Sequence, residues 1–205
     1  MFGFSLVCMS IQSALAGVTL IPINVRGGDT ADNRNQMVMI GREQGAEALL
    51  FLDADMVFPP DTLIRLLNWK VDIVGADYRL RAPPYTRIGL SPQAKPYPAD
   101  HVDPERGLVE RSIIGLGCVL VRAPVLERLA PPWFARPWLP DQATPDNPFG
   151  FSTDDSFFFQ NCRRHGFKVW CDMAVTREVQ HIGEVVVPWQ MPTNARWQGD
   201  RQCEG

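Results

Sequence analysis

The sequence predicts an α/β fold, a mostly parallel sheet flanked by helices. Three observations carry that expectation. From residue 3 to 76 the chain reads helix, strand, helix, strand, helix, strand. The run Leu49-Leu50-Phe51-Leu52 is continuously apolar, as in a central strand covered on both faces. Gly27-Gly28, Gly45 and Pro59-Pro60 punctuate the changes of period.

The elements follow in order. Residues 3–16 form an apolar stretch of helical length, and Val18 to Val25 is rich in β-branched residues and reads as a strand ended by Gly27-Gly28. Thr30 or Asp32 caps a helix running to about Gln44, with Met37, Val38 and Ile40 on its buried side and Gly45 as its stop. Arg34 and Asn35 fall in its first turn. A cation there opposes the helix dipole, which suggests a specific anionic partner for Arg34, although an exposed, solvated Arg is the commoner case. The apolar strand from Leu49 to Phe58 comes next, then a helix opened by Pro60 and carried by Leu63, Ile64, Leu66 and Leu67, then a short strand from Val71 to Ala76.

Residues 79–107 break the rhythm with Arg79, Arg81 and Arg87 among six prolines, and a loop of that length is expected to be functional or mobile. Ile113 to Val121 reads as a strand in which Gly115 and Gly117 mark a close approach to the backbone. A short helix follows from Pro124 to Leu129. The Pro-rich stretch 131–148 carries Trp133, Phe134 and Trp138, read as hydrophobic plugs in preference to platforms for a ring ligand. Ser152 or Thr153 caps a helix that Gly166 ends, placing Asp154 and Asp155 in its first turn, and Lys168 to Cys171 is a last strand before His181.

The 205 residues, 45% apolar, suit one α/β domain, with residues 1–78 and 79–205 as its two halves. A net charge of −3 gives no overall basic field of the kind that drives nucleic-acid binding. Five cysteines without a Cys-x-x-Cys pair indicate neither a zinc site nor a disulfide framework, so a reducing, cytoplasmic setting is expected. Ala14-Leu15-Ala16 imitates a signal-peptidase site, but no Lys or Arg precedes residue 26, and Ser10, Gln12, Ser13 and Thr19 oppose a membrane span. A packed helix is the expectation.

The chemistry centres on Asp53-Ala54-Asp55. In an extended backbone Asp53 and Asp55 point to the same side, at a strand's carboxyl end where ligands of open α/β sheets sit. Two adjacent carboxylates call for a cation, and hard oxygen ligands suit Mg²⁺ or Mn²⁺ shared with substrate phosphates. A turn of ordinary acidic composition explains the triplet equally well, as the helix dipole explains Asp154 and Asp155.

As an ordered set, these residues resemble the GT-A-type glycosyltransferases, in particular the family two-like enzymes of bacteria and phages. The resemblance rests on Asp53-Ala54-Asp55 as the D-x-D triplet, Gly115-Leu116-Gly117-Cys118 as the Gly-rich strand, Asp154-Asp155 as the E-D pair, Gly166-Phe167 after the following helix, and a late His181. It covers residues 18–184. It implies a Rossmann-like, mostly parallel GT-A sheet, with the family's N-terminal first strand expected to precede residue 1. It also implies a nucleotide-sugar donor, a UDP-sugar by preference, bound through Mn²⁺ or Mg²⁺, with Asp53, Asp55 and His181 as metal ligands and Asp53 also at the ribose. Asp155 is the implied general base of an inverting transfer, and Asp154 stands where the family has Glu. Asn24 and Asp32 are candidates for holding the base, and Arg34, Arg79 and Arg81 for the phosphates. The acceptor, a glycan or another hydroxyl compound, is expected beneath the two Pro-rich loops. Two alternatives stay open: transfer to hydroxymethylated bases of phage DNA, with Arg79, Arg81, Arg87 and the Arg163-Arg164-His165 cluster tracking phosphates, and a non-catalytic sugar-nucleotide or glycan-binding module.

Overall fold

The computed structural model describes residues 1–98, 101–145, 147–183 and 186–188. Helix α1 (Phe2–Leu15) packs Met9 and the hydroxyl-bearing Ser5 and Ser13 inward, while Phe4, Val7, Ile11 and Leu15 remain exposed. Helix α2 (Thr30–Glu43) is capped by Asp29, whose side chain accepts from the Asp32 amide, so the capping residue is one position before Thr30 and three before Asp32, the two expected. Then come strands β1 (Ala48–Leu52) and β2 (Met56–Val57), helix α3 (Thr62–Asn68) and strand β3 (Ile73–Gly75). Strands β4 (Leu108–Arg111) and β5 (Cys118–Arg122) precede helix α4 (Ala123–Arg128). Thr153 caps helix α5 (Asp154–Arg164) by accepting from the Ser156 amide, and Gly166 ends it with a positive φ of 86°. Strand β6 (Val169–Asp172), helix α6 (Met173–Glu178) and strands β7 (Gln180–Ile182) and β8 (Val186–Pro188) complete the described chain.

Five strands form one sheet in the order β1-β5-β3-β6-β4. Helices cover both of its faces. Val119 and Val121 of β5 join Phe51, Val38 of α2, Val125 of α4 and Phe158 of α5 in one apolar cluster. Cys118 and Leu120, pointing the other way, join Met9 of α1, Leu66 of α3 and Val175 of α6 in a second. Strands of residues 1–78 and 79–205 therefore interleave in a single sheet.

The expected mostly parallel pairing is corrected. Only β3 and β6 pair parallel among the described residues, while β1·β5, β3·β5 and β4·β6 are antiparallel. A helical crossover returns the next strand in the same direction, and α3 does this between β1 and β3. No helix lies among the described residues of the long connection after β3, which leads through β4 to β5, and β5 enters reversed between β1 and β3. Strand β1 thus ends the sheet order and is not central. The residues from Val18 to Val25 pair with no strand, with Leu20 and Ile21 exposed, and the expected strand there is absent from the described fold. Residues 113–117, expected as strand, likewise precede β5, and β4 occupies residues between the expected loop 79–107 and the expected strand, where the sequence predicts no element.

Because β5 is reversed, its first residues lie beside the carboxyl ends of β1 and β3. The Asp53 amide donates to the Gly117 carbonyl at 3.1 Å, and the Ala76 amide to the Cys118 carbonyl at 2.9 Å. That shared edge carries the candidate site.

Candidate functional site

The apolar run that begins in β1 does not continue as one strand. Asp53-Ala54-Asp55 forms a turn in which the Met56 amide donates to the Asp53 carbonyl at 3.2 Å, and Met56 then enters a second sheet of order β2-β7-β8. The extended geometry expected of the triplet is therefore corrected, and its two carboxylates separate. Register explains where Asp55 goes: β2 pairs antiparallel with β7, setting Met56 opposite His181, and the Ile182 amide donates to the Asp55 carbonyl at 2.6 Å. Asp55 Oδ2 lies 3.2 Å from His181 Nε2 and 3.0 Å from Arg81 Nη1.

His181 Nδ1 is 2.9 Å from the Arg79 carbonyl, which can only accept, so Nδ1 is the donor. A neutral His181 would then aim the lone pair of Nε2 at a carboxylate oxygen. A proton or a metal cation between them relieves that conflict. The hydrogen bond with His181 holds the Asp55 carboxyl below its ordinary range despite burial. Burial by itself would lower the His181 pKa, but Asp55 and the Arg79 carbonyl raise it overall.

Asp53 turns instead to Arg34. The guanidinium, 6% exposed, donates from Nη2 to Asp53 Oδ1 at 2.8 Å and from Nη1 to Asp154 Oδ2 at 2.5 Å and Asp155 Oδ1 at 3.0 Å. One cation on α2 therefore gathers the acid after β1 and both acids of the first turn of α5. These carboxylates are the anionic partner that Arg34 has, although a helix starting at Thr30 places it in the second turn and not the expected first. The partner is a set of carboxylates and not a phosphate. Burial would lower the Arg34 pKa, and the three carboxylates outweigh it and raise it further.

Asp154 and Asp155 differ in environment. Asp154 is buried and bound to Arg34, whereas the Asp155 side chain is 23% exposed, and its second oxygen accepts only a 3.4 Å contact from the Leu116 amide. Burial pushes the Asp155 carboxyl up, Arg34 opposes this, and the charges of Asp154 and Asp53 reinforce it, leaving a value of about 6. A carboxylate titrating there is half neutral just below physiological pH, the range suited to moving protons.

Tyr78, just past β3, stands between the two clusters. Its hydroxyl accepts from the Gly117 amide at 2.8 Å, and its ring meets the His181 imidazole edge-on, 5.1 Å between centroids. A Cβ at Gly117 would lie 2.5 Å from that hydroxyl, and one at Gly115 would overlap it too. The close approach expected at these glycines is thus made by a side chain of the protein itself.

Other expected residues fall elsewhere. Asn24 is exposed, and Asp32 is exposed on the first turn of α2, apart from both carboxylate clusters. Arg79 is buried, with Nη1 donating to the Tyr85 carbonyl, and Arg87 pairs with Asp103 at 2.6 Å. Of the three loop arginines only Arg81 presents a largely exposed side chain, 64%, which removes the phosphate track expected of Arg79, Arg81 and Arg87 together. Arg163 and Arg164 lie in the last turn of α5, where the helix dipole favours cations. Trp133 and Phe134 are buried plugs, as expected, whereas Trp138 is exposed and plugs nothing. Asn35 fixes the two plugs by accepting from both amides and donating to the Phe134 carbonyl, and Phe134 stacks on Phe158 at 4.7 Å.

An ion network ties described residues of the stretch 79–107, expected to be functional or mobile, to β4. Arg111, wholly buried in β4, donates to Asp103 at 2.7 Å and to the Tyr97 hydroxyl at 2.8 Å, and lies 3.8 Å from Asp77. Asp77 accepts from the Gly89 amide at 2.8 Å. Burial drives the Asp77 carboxyl up to about 6 against the attraction of Arg111. No sequence motif announces this network, since Asp77, Asp103 and Arg111 read individually as ordinary charges.

The three expected metal ligands thus divide between two clusters, and among the described residues no group of three or more His, Cys, Asp or Glu side chains could hold a metal ion. Asp55 and His181 remain as a pair. Neighbouring ligands of an octahedral ion at about 2.1 Å stand about 3.0 Å apart. The 3.2 Å between Asp55 Oδ2 and His181 Nε2 fits such an edge, with the remaining positions left to substrate oxygens and water.

Comparison with solved structures supports the α/β class. The chain is similar to A197 from STIV, with a TM-score of 0.53 at 16% sequence identity, covering 94% of this chain and 90% of that one. At that identity the similarity concerns the fold. No family model and no curated protein matches the sequence. Among the described residues no helix is long and apolar enough to cross a membrane, and Cys8, Cys118, Cys162 and Cys171 are free thiols.

Proposed function

We propose that the protein is a metal-dependent glycosyltransferase that moves a sugar from a nucleotide-sugar, a UDP-sugar by preference, to an acceptor hydroxyl with inversion. One observation carries this reading: Asp155, with its carboxyl pushed up to about 6, is held by Arg34 within the same cluster as Asp53. Asp53 is separated only by Ala54 from the Asp55–His181 pair. A proton acceptor and a cation-binding pair at one sheet edge are what a group transfer between two oxygens needs.

The transition state of glycosyl transfer is oxocarbenium-like, with negative charge growing on the departing diphosphate. A divalent cation, Mn²⁺ or Mg²⁺, held by Asp55 and His181 when bound, would supply charge stabilisation at those phosphate oxygens. Asp155 takes the proton of the acceptor hydroxyl on its second oxygen, the one free of Arg34. Arg34 holds the first oxygen and so fixes the direction of the second. Asp154, buried on the same guanidinium, positions that pair. Asp53, with its side chain 40% exposed, is left to meet the donor's ribose.

Thermal melting with a panel of nucleotide-sugars, each with and without Mn²⁺, tests the reading, because a ligand that binds the folded state raises the melting temperature by mass action. A UDP-sugar is expected to raise it only when Mn²⁺ is present. Stabilisation by no nucleotide-sugar, or equal stabilisation without metal, overturns the proposal.

A further inference from the structure

Arg81 binds the same carboxylate oxygen as His181: its Nη1 is 3.0 Å from Asp55 Oδ2, and His181 Nε2 is 3.2 Å from that atom. A guanidinium there occupies the place of a cation. The three groups differ in freedom, for the Arg81 side chain is 64% exposed while Asp55 is 32% and His181 12%.

The main chain of Arg81 is, by contrast, fixed. The Arg79 carbonyl accepts from His181, and the Leu80 amide donates to the Thr86 carbonyl at 2.9 Å. Behind Arg81, a Cβ at Gly183 would stand 2.7 Å from the Arg81 carbonyl oxygen and 3.0 Å from its Cβ, so only glycine lets β7 end against this backbone. A long, solvated side chain is thus mounted on a held backbone with its tip on the candidate cation-binding oxygen. It can exchange partners without moving the loop.

Resting on the metal-binding reading of Asp55 and His181, we propose that Arg81 is an exchangeable counter-ion: it neutralises Asp55 in the absence of metal, yields that oxygen to a divalent cation, and then binds the diphosphate of the donor. Two reasons favour the exchange. A guanidinium and a divalent cation on one carboxylate oxygen repel each other, so occupancy by the second expels the first. The expelled guanidinium offers a planar fork of donors matched to phosphate oxygens, within side-chain reach of where those oxygens meet the cation. Metal and diphosphate then bind cooperatively, because the first releases the residue that holds the second.

The proposal predicts effects of opposite sign, which damage to the fold does not produce. Mn²⁺ binding is followed by the paramagnetic resonance signal of the free ion, and inorganic pyrophosphate binding is measured at micromolar concentration with Mn²⁺ present. Arg81→Ala is expected to bind Mn²⁺ alone about two- to five-fold more tightly, the range for losing an exposed ionic competitor. The same variant is expected to bind pyrophosphate about tenfold more weakly, as for a lost charge-assisted hydrogen bond. Arg81→Lys should lie between wild type and Arg81→Ala in both. Unchanged or weaker Mn²⁺ binding by Arg81→Ala, or unchanged pyrophosphate binding, overturns the exchange. Asp55→Ala separates the two levels: if it loses Mn²⁺ while Arg81→Ala matches wild type, only the role of Arg81 fails. If Asp55→Ala binds Mn²⁺ as wild type does, or wild type binds none, the metal reading falls and the exchange with it.

Discussion

Arg34 and Asp154, 120 positions apart in the chain, form a buried ion pair of 2.5 Å that joins the second turn of α2 to the first turn of α5. Through the same guanidinium, Asp53 and Asp155 are brought to one place. The sheet edge is therefore organised by one cation and three anions, an arrangement whose charge balance depends on Arg34 alone within that cluster.

Removing that cation should be costly. Arg34→Ala leaves three carboxylates together, of which Asp154 is buried, and breaking a buried pair on one side costs about 3–5 kcal/mol, less whatever water gains access to the more exposed Asp53 and Asp155. Urea denaturation at neutral pH should show a loss of that order, shrinking at low pH as the carboxylates protonate. A loss below about 1 kcal/mol at neutral pH would mean that water already screens the cluster.

The two acids of α5 should separate in function. Asp155→Asn keeps size while removing the basic oxygen, so single-turnover transfer should fall roughly 10²-fold or more with donor affinity nearly unchanged. Asp154→Asn, which alters the buried side of the clamp, should show mainly in stability. Once a donor and an acceptor are known, equal transfer by Asp155→Asn and wild type would refute the assigned base.

Stability should be greatest on the acid side of neutrality. Asp77 and Asp155 are both pushed up to about 6, so the folded chain keeps protons that the unfolded chain, with carboxyl values near 4, has already released. Between about pH 4 and 6 the folded state binds more protons, and stability falls as pH rises, by on the order of 2 kcal/mol for each group. Asp103 acts in the opposite sense: burial would raise its pKa, but Arg111 and Arg87 hold it low, so its contribution is present above about pH 4 and lost below. Urea midpoints should therefore be higher at pH 5 than at pH 7. Asp77→Asn should flatten the difference, and an unchanged slope in that variant would rule Asp77 out as its source.

Tyr78 and Gly117 should behave as one unit. Gly117→Ala drives a methyl against the Tyr78 hydroxyl and should cost about 1–3 kcal/mol, as overpacking does. Tyr78→Phe removes the hydroxyl and leaves the Gly117 amide without that acceptor. In a double-mutant cycle the combined loss should be smaller than the sum by 0.5 kcal/mol or more in order of magnitude. Strict additivity would show that the two do not share the contact.

Much of the local structure was legible because it depends on neighbours in sequence. The caps at Thr153 and Gly166, the amphipathic runs of α2 and α3, and the apolar β1 all follow from spacing, and so did the α/β class with helices on both faces. The residue types of the candidate site were legible too: Asp53, Asp55, Arg34, Asp154, Asp155 and His181 all stand at the sheet edge. Their partners were not. Whether a strand runs with or against its neighbour depends on how the connection after β3 returns, and no local pattern specifies the reversed insertion of β5. Whether Asp53 and Asp55 act together depends on a turn that sends Asp55 into the β2·β7 pair while Asp53 meets Arg34. Sequence determined which charges this protein carries at its strand ends; tertiary structure decided which opposite charge each one meets, because burial and register are properties of elements brought together from more than 100 residues apart.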